Sequence, residues 1–68
     1  MIDHRKMKKA VTESGKTQFQ VSQEAEIPEG YMSVLCNHDT NIQTRTLIRL
    51  CEATGASADA LLLWSNND

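Results

Sequence analysis

Two cysteines and two histidines are the groups in this sequence best suited to metal or nucleophilic chemistry. Cys36 and His38 lie two positions apart, but no second pair stands at the spacing a zinc site requires. Cys36 and Cys51 both fall where a core-facing residue is expected, and a buried cysteine behaves as a small hydrophobe. They do not form a secreted disulfide framework, and in a reducing compartment both are expected as thiols. His4 and His38 are expected on the surface. No residue pattern sets a nucleophile beside its base. The sequence therefore predicts no enzyme, no metal and no cofactor.

Recognition through charge and hydrogen bonds has more to work with. The formal net charge of −2 gives no global pull toward nucleic acid. The distribution is lopsided, however. Arg5, Lys6, Lys8, Lys9 and Lys16 crowd the first sixteen residues against Asp3 and Glu13. The segment from Gln23 to Glu29 carries Glu24, Glu26 and Glu29 with no base. A local basic patch is compatible with an acidic whole.

The elements that must position these groups are small. A chain of 68 residues makes one domain and buries about 60% of its unfolded surface, so every apolar residue counts toward one core. With one Phe, one Tyr and one Trp, aliphatic side chains must do most of the packing. There is no apolar run long enough to span a membrane, and no signal-peptide core follows the basic start MIDHRKMKKAV. A cytoplasmic location is expected. Residues 1–64 read as a single domain and 65–68, SNND, as a frayed tail.

Five short helices are predicted. Asp3 can cap a first helix running to about Ser14, with Met7, Ala10, Val11 and Ser14 on one face. Gly15 suits its left-handed end. Thr17 is a good N-cap for a second helix, with Gln20 placed for a capping box. That helix is expected to bury Val21 and Ala25, with Phe19 or Ser22 beside them. Pro28 suits the start of a third helix reaching Asn37, because its missing N–H would have had no partner there. Met32, Leu35 and Cys36 share one of its faces. Residues 38–43, HDTNIQ, read as a polar loop holding one apolar residue, Ile42. Gln43 or Thr44 opens a fourth helix with Leu47, Ile48, Leu50 and Cys51 as its core face, ended by Gly55. Ser57 is expected to cap a last helix carrying Asp59, Leu61 and Leu62, and extending toward Leu63 and Trp64. No stretch alternates as a strand does.

Helices two and three are separated only by a turn around Glu26-Ile27, which is helix-turn-helix spacing. The first helix of such a pair braces the second, and the second offers an exposed face to a partner. From Gly15 to Leu62 the sequence resembles the Cro/repressor (XRE-like) helix-turn-helix family. Gly15-Lys16-Thr17-Gln18 is similar to the family's Gly-x-Ser/Thr-Gln approach to helix two. Val21-Ser22 stands at its Leu-Ala, Ile27-Pro28 at its Val-Ser, and Met32-Ser33 at the Ile-Ser of the recognition helix. Thr46-Leu47 and Leu50-Cys51 stand at the Thr-Leu and Leu-Ala of helix four. Gly55-Ala56-Ser57, then Asp59 and Leu61-Leu62, are similar to the closing Gly-Val-Ser, Asp and Leu-Leu. The resemblance implies an all-α, compact five-helix, lambda-repressor-like domain.

The departures from the family pattern have physical content. Glu26 takes a turn position where the family usually has Gly. With φ > 0 there, Glu costs of order 1 kcal/mol that Gly would not. His38, just after helix three, takes another usual Gly position, and Ile42 replaces a loop Pro. Val11 and Cys36 stand where the family often pairs an Arg with a Glu, so an apolar couple replaces an ion pair. Such a replacement need not cost stability.

The resemblance also implies a double-stranded DNA partner. Thr17 and Gln18, at the start of helix two, would meet phosphate. Glu29, Gly30, Tyr31, Ser33 and Val34, with Asn37 beyond them, would face the major groove. A serine bonds either base type, a glutamate accepts from cytosine N4, and a valine can touch a thymine methyl. Asn41, Thr44 and Arg45 stand where the family grips the flanking backbone. Lys8, Lys9 and Lys16 would steer the domain onto phosphates. Leu63 and Trp64 would help form a weak homodimer on a palindromic site, with recognition helices about 34 Å apart. A solvated helix face, or a domain that binds a protein as an antirepressor or antitoxin-like partner does, is the alternative expectation. The acidic net charge and Glu29 favour it.

Overall fold

The structure, a computed structural model, describes residues 1–63, so Trp64 and the expected tail lie outside it. Four α-helices follow in order: α1 (His4–Ser14), α2 (Gln18–Glu24), α3 (Glu29–Asn37) and α4 (Thr44–Thr54). A single 3-10 turn, Ala58–Ala60, follows them. Among the described residues there is no strand, only isolated bridges. The molecule is all-α.

The helix ends lie where local chemistry puts them. The Asp3 carboxylate accepts from the Arg5 N–H at 3.0 Å, and Gly15 closes α1 with φ 76°. Thr17 and Gln20 form a complete capping box on α2, with bonds of 3.1 and 2.9 Å. Pro28 precedes α3 in an extended conformation. Gly55 closes α4 with φ 78°. Glu26 is the one non-glycine among the described residues with positive φ, at 60°. It ends α2 in a Schellman motif. The Ile27 N–H bonds the Ser22 carbonyl at 3.0 Å and the Glu26 N–H bonds that of Gln23 at 3.1 Å. His38 needs no glycine, because it leaves α3 in extended backbone with φ −141°.

Glu26→Gly is therefore expected to stabilise the domain by about 1 kcal/mol, raising Tm by about 4–8 °C. The loose Glu26–Arg49 pair, at 3.7 Å and on the surface, offsets little of this. A melting curve with Tm unchanged or lowered would show that the turn stores no strain.

The core lies between α1 and α3, with α2 and α4 packed around it. Met7, Ala10 and Val11 face Met32, Leu35 and Cys36, with Val21, Ala25, Leu50 and Ala53 completing it. Val11 and Cys36 are both buried in this cluster. Ser22, not Phe19, joins Val21 and Ala25: its hydroxyl is fully buried and donates to the Phe19 carbonyl at 2.7 Å. Phe19 stays exposed.

Three expectations are corrected. Ile48 is not core but 52% exposed. It lies two residues from Leu50, hence about 200° around the helix, on the far side. Leu47 and Cys51 are half-buried, and Ala53 takes the deep position. The fifth helix is only the 3-10 turn, and Ser57 makes no side-chain cap bond there. The chain cannot continue helically because Leu61 to Leu63 turn aside to pair with the amino terminus. The Asp3 N–H bonds the Leu61 carbonyl at 2.9 Å, and the Leu63 N–H bonds the Met1 carbonyl at 2.9 Å. On its other side Ile2 exchanges backbone bonds of 2.7 and 3.2 Å with Thr40. The Ile2 side chain is fully buried. An N-terminal residue thus becomes a core residue, which periodicity along a helix could not reveal.

Candidate nucleic-acid interface

Glu29, Ser33 and Asn37 recur every four residues along α3, with Gly30 and Val34 beside them. Helical geometry puts such residues on one strip, and all five are exposed. Tyr31 stands apart on the flank, half-buried against the core. Glu29 has no cation within 4.0 Å among the described residues. The Asn37 amide nitrogen donates to the Ser33 carbonyl at 2.7 Å and lies 3.5 Å from the Ser33 hydroxyl. The strip is held from behind by Met32, Leu35 and Cys36, all fully buried.

The flanking candidates divide. Asn41, Thr44 and Arg45 are exposed where the loop enters α4, and Arg45 has no acidic partner among the described residues. The Thr17 hydroxyl is used in the capping box, and Gln18 is half-buried. Lys9 is exposed, with Glu13 at 4.0 Å one helical turn on. Lys8 is exposed on α1, near enough to Cys36 for its charge to be felt there. Lys16 is not free. Its ammonium donates to Glu24 Oε1 at 2.5 Å and to the Ala53 carbonyl at 2.7 Å, tying α2 to the end of α4. That bond also satisfies a carbonyl in the last turn of α4, where a cation is favoured. Leu63 is exposed, and Trp64 lies outside the described residues.

One cluster has no local sequence signal. His4 donates its backbone N–H to Asp39 Oδ1 at 3.0 Å, and its Nδ1 lies 2.6 Å from the same oxygen. The backbone bond first, then the ring, hold the Asp39 carboxyl below its usual range. With Asp3 these groups bring three possible ligand atoms within 4.8 Å of one another. Their chemistry is that of a helix cap. Both carboxylates accept from the first N–H groups of α1, whose positive end already neutralises them. Burial pushes both cysteine thiols up, Cys36 and Cys51 alike. They stay protonated and unpaired, as small packing groups do.

An open groove of about 340 Å³ lies between α1 and residues 56–60. Ala10, Ala56 and Ala60 line it together with Lys6, Lys9, Glu13 and Asp59. No residue of α3 contributes. Lys6 also ties α1 to the segment after the 3-10 turn, donating to the Leu62 carbonyl at 2.9 Å.

No model of a known protein family matches the sequence, and no curated protein does either. No helix among the described residues is long and apolar enough to cross a membrane.

Proposed function

We propose that this chain is a small, cytoplasmic, sequence-specific DNA-binding regulator of the Cro/repressor type, with α3 as the helix that reads the major groove. One observation carries the reading. Residues 25–28 join α2 to α3 through a left-handed Glu26, at the turn position where the family's pattern has Gly, and leave an unpartnered polar strip on α3. Such a pair is a helix-turn-helix within a lambda-repressor-like arrangement, the short last helix reduced here to a 3-10 turn. Glu29, Ser33, Val34 and Asn37 would meet base edges, with Tyr31 at the flank. Thr17, Gln18, Asn41, Thr44 and Arg45 would meet the backbone, and Lys8 and Lys9 would steer. Leu63 and Trp64 would support a weak homodimer on a palindromic site.

A second reading, a domain of the same shape that binds a protein, is favoured by the net charge of −2 and by the engagement of Lys16. One experiment separates the two. Retention on mixed duplex DNA is expected to fall steeply with salt. Lys9→Ala is expected to weaken binding to all sequences alike and to lower the salt slope by about 1, whereas Glu29→Ala and Ser33→Ala change sequence preference. Sedimentation on a palindromic duplex would report two copies. Absence of salt-dependent retention ends the DNA reading in favour of the protein partner. If the α3 variants bind every site as the parent does, the reading face lies elsewhere.

A further inference from the structure

We infer that the α3 strip selects bases by their exocyclic amino groups and lacks the paired donor that reads guanine bidentately. The inference rests on the DNA-binding reading and names what that face would choose. A Glu29 carboxylate can only accept hydrogen bonds, and among the described residues no cation neutralises it. Gly30 offers no side chain, and the space beside its Cα is open. Val34, 42% exposed, offers only methyl groups.

Asn37 decides the matter. An asparagine reads adenine bidentately by donating to N7 while accepting from N6. Here its amide nitrogen is turned back onto its own helix, 2.7 Å from the Ser33 carbonyl. The opposite amide orientation would set two carbonyl oxygens face to face, so the nitrogen is the inward atom. What Asn37 has left for a ligand is its Oδ1 acceptor and one N–H. That N–H and the Ser33 hydroxyl are single donors on different side chains, not the paired donor that guanine O6 and N7 call for.

The major-groove edge of guanine is two acceptors, O6 and N7, and calls for donors. Cytosine N4 and adenine N6 are donors and match Glu29 and Asn37. The thymine methyl matches Val34. The strip is therefore complementary to amino groups and methyls, and opposes two guanine acceptors with a carboxylate.

Selection from a random duplex pool gives the best site, and base analogues then test the inference on it. Replacing adenine by purine, or cytosine by 2-pyrimidinone, deletes the amino group. At the positions facing Glu29 or Asn37 this is expected to weaken binding at least about tenfold. Replacing guanine by 7-deazaguanine is expected to change nothing. Glu29→Arg should move the preferred base at its position to guanine. A loss on 7-deazaguanine substitution, or indifference to both kinds of analogue, overturns the inference while leaving DNA binding intact. If no duplex is retained in a salt-dependent way and a protein is bound instead, the underlying reading fails and takes the inference with it.

Discussion

Val11→Asp is expected to unfold the domain at ordinary temperatures. Val11 is 5% exposed and lies between α1 and α3 in the same cluster as the fully buried Cys36. Ser22 is the one polar residue buried among the described residues, and its hydroxyl is satisfied by the Phe19 carbonyl. An aspartate at this position would have no buried cation beside it, since Lys8, one turn back on α1, is exposed. An unpartnered buried charge costs about 3–5 kcal/mol. A domain of 68 residues has a total stability of roughly 3–10 kcal/mol. Thermal melting followed by circular dichroism checks the result. A variant that melts within a few degrees of the parent would mean that the seam between α1 and α3 is wet, and that the apolar exchange of an ion pair is misread.

Ile2→Ala is expected to be nearly as damaging, at a site where change is usually tolerated. Its side chain is fully buried, and truncating such a residue costs about 2–5 kcal/mol. The effect should not stay local. Ile2 is bridged to Thr40 on one side and to Leu62 on the other. Amide hydrogen exchange at Thr40 and Leu63, whose N–H groups bond the carbonyls of Ile2 and Met1, should accelerate together. If stability were unchanged and both amides stayed protected, Ile2 would be a passenger on a core that closes without it.

What could be read from the sequence was what local chemistry determines. Asp3, Gly15, Thr17 with Gln20, Pro28 and Gly55 each mark a helix boundary within a residue or so of where it lies. The left-handed Glu26 was signalled only by the resemblance, whose pattern has Gly at that turn. Pairings between distant parts of the chain were not legible. Nothing in the run MID announces that Ile2 is a core residue, because its partners lie at Thr40 and Leu61–Leu63. The same blindness hid the Asp39 cap on α1, 35 residues away, and the tie from Lys16 to the Ala53 carbonyl. Ile48 departs for a different reason: an apolar residue in a short helix need not face the core, and its angle to Leu50 turns it outward. Of the candidate site, helical spacing gave the strip on α3. The direction in which Asn37 spends its amide depends on a rotamer, which a sequence does not display.

The pairing of Met1–Asp3 with Leu61–Leu63 also sets a timetable. During synthesis the first residues leave the ribosome before their last partners exist. At about 5–20 residues per second the wait is roughly 3–12 s. The four helices can meet within that interval, but Ile2 has only its Thr40 neighbour to hold it. The second bridge of Ile2 is thus the last to form, and the core closes over its side chain only when Leu61–Leu63 emerge and dock.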